Sequence, residues 1–326
     1  MRYAVSTSPQ RTTWPWLLEA WQRADEHALF ESGWTFDHLY PLQGDSTEDC
    51  FEGWMMLAAL LHETTRIRGG VLVTGMVYRH PGVLANMAST LDITSGGRLE
   101  LGVGAGWNDE ECEAFGIELG SMKERFDRFE ESLAVLASLL SNERTTFSGM
   151  HYQLVEAMNN PKPLQTRLPI CIGGSGPKRT LPLAARYADH WNFAGGGTGT
   201  DGFTTARRVL HESCAAIDRD PAEITCSTLV RYSGDLDALV ADVTAFEAAG
   251  ADLAIVSIAK HLPPSCIDDV AVASPHADRT QAGGTQVRGR TTSTLPSLHT
   301  CTSRRNEIRQ PSPVRTNSSS YRPAMM

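Results

Sequence analysis

The segment RGGVLVTGMVYRHPGVLANMASTLDITSGGRLELGVGAGW, at residues 68–107, decides the fold of this chain. A short run rich in valine at residues 70–76 predicts a buried strand. Pro81 suits the first turn of a helix, because it lacks the amide donor that a helix start leaves unpaired. Ser95-Gly96-Gly97 ends that helix, and residues 99–103 predict a second strand. A strand, a helix and a strand in this order predict a parallel sheet.

The same alternation continues along the chain. Strand-like runs occur at residues 3–7, 35–39, 70–76, 99–103, 169–173, 190–194, 223–230 and 253–258. The segments between them that are amphipathic and long enough for a helix are residues 16–32, 50–63, 82–94, 122–140, 177–188, 204–218 and 235–249. Eight strands alternating with helices predict an α/β fold, the (β/α)8 TIM barrel. A doubly wound open sheet is the alternative, because alternation alone does not show that the sheet closes.

An insertion and a tail interrupt the repeat. Residues 141–168 include FSGMHY, typical of a small hairpin, and predict an inserted loop over the barrel mouth. The barrel domain is predicted at residues 1–269, and residues 270–326 form a low-complexity, disordered tail or, as the alternative, a basic binding arm. Only a short stub of helical pattern surrounds Ile267, where the eighth helix belongs. Apolar surface on the first and seventh helices is therefore expected to be uncovered.

Composition excludes several classes of protein. The chain has 326 residues, 41% of them hydrophobic, and its net charge of −9 gives no support for general binding to nucleic acid or an anionic membrane. Seven cysteines without a CxxC pair favour a reducing compartment over disulfides or a zinc site. No run approaches the roughly 20 apolar residues of a membrane span. We therefore expect a cytoplasmic protein without a metal that acts on a small-molecule substrate.

Asp37-His38 follows the second predicted strand, in the sequence GWTFDH. An imidazole at a strand end projects toward the mouth of a barrel, and histidine exchanges protons near neutral pH. Because adjacent residues of a strand face opposite ways, only one of the pair is expected to point inward. The alternative is a strand-end histidine that only bonds its neighbours.

Two glycine-rich turns follow other predicted strands. Gly173-Gly174-Ser175-Gly176 leads into a helix that begins near Lys178 and Arg179, and the free amide groups of such a turn attract a phosphate. A tight turn without a ligand is the alternative. Gly104-Ala105-Gly106-Trp107 leaves room for a flat ligand, and Asn108 after it is able either to bond the ligand or to cap a helix.

Together these motifs resemble the luciferase-like monooxygenase superfamily and, within it, the oxidoreductases that use the deazaflavin coenzyme F420. The resemblance covers residues 1–269 and rests on WTFDHL, VLVTGMVYRHPGVLANMASTLD, SGGRLELGVGAGW, FSGMHYQL with NPKPLQ, and PICIGGSGPKRTLPLAARYADHWN. It implies a (β/α)8 barrel that binds a flat ring at the carboxyl ends of its strands. The third strand of such barrels often carries a bulge with a non-proline cis peptide.

The resemblance also assigns roles to residues of this sequence. Asp37 and His38 match the polar pair beside the ring, with His38 handling a proton. The residues matched to the bulge, the ring contacts and the phosphate turn are Val71, Leu72, Val73, Thr74, Gly106, Trp107, Gly173, Gly174 and Ser175.

The implied chemistry is hydride transfer between the deazaflavin C5 and an organic substrate. FMN is the alternative cofactor, which would make the protein a monooxygenase, and a barrel that binds cofactor without turnover is a further alternative. Leu42 and Trp107 depart from relatives that oxidise sugar phosphates, which carry an aromatic residue and an acid there. A lyase or aldolase has little support, since Lys260 is the only lysine at a predicted strand end. A homodimer is a possible assembly.

Overall fold

The computed structural model describes residues 1–42, 44–194 and 197–274. Within them the strands are β1 (Arg2–Ser6), β2 (Phe30–Thr35), β3 (Arg68–Val71), β4 (Thr74–Gly75), β5 (Leu99–Gly104), β6 (Thr145–Ser148), β7 (Gln153–Ala157), β8 (Ile170–Gly173), β9 (His190–Phe193), β10 (Thr225–Tyr232) and β11 (Leu253–Ile258). All except β6 and β7 belong to one parallel sheet. β3 pairs with β2 on one side and β5 on the other, so the sheet closes. The predicted TIM barrel is confirmed.

The helices of the described residues are α1 (Trp14–Glu26), α2 (Gly53–His62), α3 (Pro81–Thr94), α4 (Asp109–Ala114), α5 (Met122–Ser141), α6 (Thr180–Tyr187), α7 (Gly199–Ala215), α8 (Leu236–Ala248) and α9 (Cys266–Ala273). Pro81 occupies the first turn of α3, as the sequence predicted. Ser121 and Glu124 form a capping box at the start of α5, which satisfies two amide donors reciprocally.

The end of the described chain differs from the prediction. α9 continues past residue 269 to Ala273, and Ile267 and Val270 on it are fully buried. This short helix packs against α1 and α8, so the expectation of uncovered apolar surface on the first and seventh barrel helices is wrong at this contact. Two turns with apolar residues at the buried positions suffice to cover the gap. The predicted disorder of the tail falls on residues 275–326, outside the described residues.

The predicted strands agree with the observed ones, with two differences. The second strand ends at Thr35 instead of beginning there, so Asp37 and His38 lie in the loop that follows β2. The third predicted strand, residues 70–76, is divided into β3 and β4 by a break at which the Leu72–Val73 peptide bond is cis. This is the non-proline cis peptide that the resemblance implied for the third strand.

The insertion at residues 141–168 contains the predicted hairpin, formed by the antiparallel pair β6 and β7. Its position is not the predicted one. The Glu131 carboxylate of α5 accepts the backbone amides of Met150, His151 and Tyr152, and Asn159 donates to Ser89 of α3 at 2.8 Å. The hairpin thus packs on the outer helices α3 and α5, and none of its described residues lines the cavity at the barrel mouth.

The main apolar core lies between the strands and the helices, while the barrel interior is small and partly polar. Ala4, Trp34, Cys171, Leu253 and Ile255 form its apolar part. Buried polar side chains bond one another beside them: the Asn192 amide and the His190 ring both contact Ser227 Oγ, at 2.9 and 2.6 Å. The six cysteines in the described part of the chain form no disulfide with one another.

Candidate active site

A cavity of about 850 Å³ opens at the carboxyl ends of the barrel strands. Most of the predicted site residues line it, namely Asp37, His38, Leu72, Val73, Gly106, Trp107, Gly173 and Gly174. Three predicted site residues, Val71, Thr74 and Ser175, are not among the described residues that line the cavity. Val71 is buried in the barrel wall, and Thr74 is fully buried and accepts the indole N–H of Trp54 at 3.0 Å. Eight of the eleven predicted site residues therefore line one cavity, and the other three lie behind or beside its surface.

Val73 forms a ledge at the floor of this cavity. It follows the cis peptide bond and projects between the ends of β5 and β8. A Cβ atom added at Gly104 would lie 2.7 Å from Val73 Cγ2, and one added at Gly173 would lie 3.0 Å from Val73 Cγ1. Gly104 was predicted to leave room for a flat ligand, and Gly173 was predicted to belong to a phosphate turn. In the structure they make room for Val73, whose side chain then faces the cavity.

Asp37 is held by a bidentate ion pair. Its two carboxylate oxygens accept from Arg79 at 2.5 and 3.0 Å, and the same guanidinium donates to Glu52, the residue that caps α2. Asp37 is only 3% exposed. Burial raises the pKa of Asp37, and the hydrogen bonds and charge of Arg79 oppose that rise. The pair ties the loop after β2 to the segment before α3.

His38 contacts a buried carboxylate through one ring nitrogen. Its Nδ1 lies 2.7 Å from Oε2 of Glu111, whose other oxygen accepts the backbone amide of Leu39. Tyr78 donates its hydroxyl to Glu111 Oε2 at 2.9 Å. The Trp107 ring stands edge-on to the imidazole with 5.3 Å between centroids. Within the described residues Nε2 of His38 makes no hydrogen bond, so this nitrogen is available to a ligand in the cavity.

The charge of Glu111 follows from these contacts. Burial acts to raise the pKa of Glu111, but the hydrogen bonds from His38, from the Leu39 amide and from Tyr78 outweigh it, and the pKa lies below its ordinary value. The carboxylate is therefore ionised at neutral pH. Burial and the neighbouring charge of Glu111 raise the pKa of Tyr78, which keeps the phenol protonated as a donor.

Three polar atoms on the cavity wall are buried without a hydrogen-bond partner. They are Ser8 Oγ, Thr35 Oγ1 and Arg125 Nε, and all three residues line the cavity. Buried polar atoms are nearly always satisfied, and an unsatisfied group costs about 1–3 kcal/mol. All three belong to residues of the same cavity wall, which makes this wall the part of the described chain where unsatisfied polar atoms are concentrated.

The predicted phosphate turn lies at one end of the cavity. Gly174 has a φ of +119°, which favours glycine, and its carbonyl accepts the indole N–H of Trp191 at 2.7 Å. A Cβ atom added at Gly176 would lie 2.9 Å from Thr180 Oγ1, so the turn is too close to α6 for a side chain. Arg179 pairs with Asp127 and Glu130 on α5, at 2.9 and 3.3 Å, which leaves Lys178 as the exposed cation of the turn.

The cavity lining includes both apolar and cationic side chains. Leu42, Trp107 and Met122 are apolar lining residues, and the Trp107 and Met122 side chains are exposed. Two cationic residues, Arg231 near the end of β10 and Lys260 after β11, also line the cavity. Gly195 and Gly196, which follow β9, lie outside the described residues.

Reasoning from the sequence missed Glu111, Arg79, Ser8 and Thr35 as site residues. Asn108 was predicted as a possible helix cap, and that cap is present, with Asn108 Oδ1 accepting the amide of Glu111 in the first turn of α4 at 3.3 Å. The contact to His38 joins residues 73 positions apart, which no local pattern reports. In the described residues no group of three or more His, Cys, Asp or Glu side chains is arranged to hold a metal ion. No described helix has the length and apolar character needed to cross a membrane.

Comparison with known proteins places the chain in a family. The sequence profile described as luciferase-like monooxygenase matches residues 2–251. The F420-dependent hydroxymycolic acid dehydrogenase of Mycobacterium tuberculosis is 35% identical over 175 residues, which cover 53% of this chain and 48% of that protein. The F420-dependent glucose-6-phosphate dehydrogenase of Beutenbergia cavernae is 32% identical over 215 residues, or 65% of this chain and 62% of that one. The matched segments thus span about half to three-fifths of these relatives.

Solved structures extend the likeness of fold over most of the chain. An F420-dependent secondary alcohol dehydrogenase in complex with an F420-acetone adduct superposes with a TM-score of 0.77, covering 85% of this chain and 98% of that chain. Its sequence identity of 20% makes this a likeness of fold.

Proposed function

Because the chain belongs to the luciferase-like monooxygenase family, we propose that it is an F420-dependent oxidoreductase acting on a small organic substrate. When bound, the deazaflavin supplies two-electron chemistry, as a hydride exchanged between its C5 and the substrate. The residues of this chain bind and orient both molecules and handle the accompanying proton. The F420 dependence named for two relatives supports the choice of cofactor.

The single observation that carries the proposal is the set of unsatisfied polar atoms around the Val73 ledge. Ser8 Oγ, Thr35 Oγ1 and Arg125 Nε are buried on the wall of the cavity, and each needs a partner. A flat heteroaromatic ring with carbonyl and N–H groups on its edge fits this arrangement. Leu72 and Val73 would supply the apolar contact for such a ring, and Ser8, Thr35 and Arg125 are the residues of the wall that would bond its polar groups.

The glycine turn fits the anionic part of the same cofactor. Gly173 and Gly174 line the cavity ahead of α6, whose N-terminal amides and helix dipole attract a phosphate, while the Gly174 amide itself donates to the Asn192 carbonyl. Lys178 adds an exposed positive charge beside the turn. FMN also carries a phosphate that this turn would accept, so an FMN-dependent monooxygenase is the second candidate function.

His38 is proposed to exchange a proton with the substrate through Nε2. Its ring lies on the cavity surface, and its other nitrogen is already engaged by Glu111. Asp37 has both oxygens bonded to Arg79, so we propose that it acts by holding the loop that carries His38 and not by transferring a proton itself.

Turnover with a panel of alcohols, ketones and enones tests this proposal, with oxidised and reduced F420 followed by absorbance. Loss of a general acid or base typically costs a factor of about 10²–10⁴. We expect His38→Ala to lose this factor in kcat while F420 binding is retained. His62→Ala, an exposed histidine at the end of α2, is the matched control and should leave turnover unchanged. Unchanged turnover in His38→Ala would contradict the role of His38.

A further inference from the structure

We propose that Glu111 is a positioning residue, which fixes the imidazole of His38 in one orientation and one tautomer, with the proton on Nδ1. The proposal rests on the proposed function in so far as His38 is the group that exchanges the substrate proton. Its structural content, the tautomer, is independent of any substrate.

Burial and contacts define the role of Glu111. The residue is 0% exposed, although glutamate is rarely fully buried unless it is paired. It lies at the start of α4, and Asn108 holds its backbone amide. The carboxylate of Glu111, which lies in the segment after β5, thereby contacts the loop that follows β2. There the carboxylate meets two donors that are adjacent in sequence, the Leu39 amide and the His38 ring.

The chemistry of the carboxylate sets the tautomer. An ionised carboxylate only accepts hydrogen bonds, so the contact of 2.7 Å between Oε2 and Nδ1 requires a proton on Nδ1. In the neutral imidazole Nε2 then carries a lone pair, and it is the nitrogen without a partner among the described residues. Neutral His38 is thus prepared to accept a proton at Nε2. With an alcohol as substrate, this nitrogen would take up the O–H proton while the C–H electron pair leaves as hydride and the O–H electron pair forms the carbonyl.

Other groups around His38 do not compete for Nδ1. Asp37 and its partner Arg79 are engaged with each other, and Tyr78 donates to the same carboxylate oxygen as His38. Cys50 donates to the backbone carbonyl of His38 at 3.3 Å, away from the ring nitrogens. The Phe36 and Trp107 rings contact the imidazole edge-on. Glu111 is therefore the described group that selects the protonated nitrogen.

Proton NMR of the whole protein tests this assignment without a substrate. A proton on Nδ1 that is hydrogen-bonded to a buried carboxylate is protected from exchange with water and gives a resolved low-field signal. We expect this signal in the wild type and its loss in His38→Gln, which identifies it. Glu111→Ala should also lose the signal, whereas Glu110→Ala, the exposed neighbour in the same helical turn, should keep it. Tyr78→Phe should keep it as well, since it removes only the second donor.

A second variant guards against loss of folding in Glu111→Ala. Glu111→Gln keeps the shape, but one end of its amide must present N–H groups either to the Leu39 amide or to Nδ1, so the signal should shift or disappear. Absence of the signal in the wild type, or an unchanged signal in Glu111→Gln and Glu111→Ala, would overturn the proposal. The affinity for F420 is measured on the same samples. If the wild type binds F420 but the signal persists in the Glu111 variants, only the role of Glu111 is refuted. If the wild type does not bind F420, the proposed function is refuted.

Discussion

A double-mutant cycle between Gly104 and Val73 tests the ledge at the centre of the site. A Cβ atom at Gly104 would lie 2.7 Å from Val73 Cγ2, closer than real Cβ contacts come. We expect Gly104→Ala to lower the free energy of unfolding by about 1–3 kcal/mol through overpacking. Val73→Ala removes two methyl groups from a half-buried side chain, at a cost of about 1 kcal/mol.

The double variant distinguishes a local clash from a general effect of the new methyl group. With Val73 truncated, the added Cβ meets only the Cβ of residue 73, at 3.8 Å, which is an ordinary van der Waals contact, so the double variant should cost about 1–2 kcal/mol. That corresponds to a coupling energy of about 1–2 kcal/mol, well above the 0.3–0.5 kcal/mol scatter of independent sites. Urea unfolding of the four proteins measures it. Gly69→Ala is the matched control, because its Cβ would press on Leu57 and Leu61 instead, so its cost should add to that of Val73→Ala. Additive costs for Gly104→Ala and Val73→Ala would refute the reasoning.

Three further predictions concern other parts of the structure. Arg79→Ala leaves the Asp37 carboxylate buried without its partner and should lower the free energy of unfolding by about 3–5 kcal/mol, as measured by urea unfolding. Replacing both residues, with Arg79→Met and Asp37→Asn, should recover much of this loss. The Asp25 carboxylate accepts hydrogen bonds from the backbone amides of Thr65, Arg66 and Ile67. Burial acts to raise the pKa of Asp25, but these hydrogen bonds outweigh it, so the pKa lies below its ordinary value. The stabilisation that Asp25 gives the folded state is therefore present at neutral pH and is lost as the pH falls below about 4. Asp25→Asn should therefore lower stability at pH 7 and flatten the acid side of the stability profile, and an unchanged acid slope would contradict this. Ile267→Ala on α9 should cost about 2–5 kcal/mol, and a loss under 0.5 kcal/mol would show that the last helix does not seal the barrel.

The barrel was predictable because each of its strands is a short apolar run that ends in glycine or polar residues. Periodicity fails where a strand end turns into functional loop, as at Thr35, where Phe36, Asp37 and His38 continue an apolar-polar pattern without pairing in the sheet. The hairpin was predicted from its own sequence, but its position depends on Glu131 of α5, which no local pattern reveals.

The site was predictable at the strand ends and unpredictable between them. Residues 72–73, 106–107 and 173–174 lie at or shortly after strand ends, so the topology of a parallel barrel brings them together. Glu111 and Arg79 act through partners 73 and 42 positions away, contacts that only the folded chain defines. The unsatisfied atoms of Ser8 and Thr35 gave no signal in the sequence, because serine and threonine at strand ends are common and only burial makes them informative.

Equilibrium binding of the wild-type protein to F420 and to FMN tests the central claim most directly. F420 is titrated with the protein and followed by its fluorescence, and FMN is then added as a competitor. We expect saturable binding of F420 that a tenfold excess of FMN does not displace. We also expect Thr35→Val to bind F420 more weakly, because it removes one unsatisfied hydroxyl group from a residue of the cavity wall. Binding of FMN in preference to F420, or of neither, would contradict the central claim.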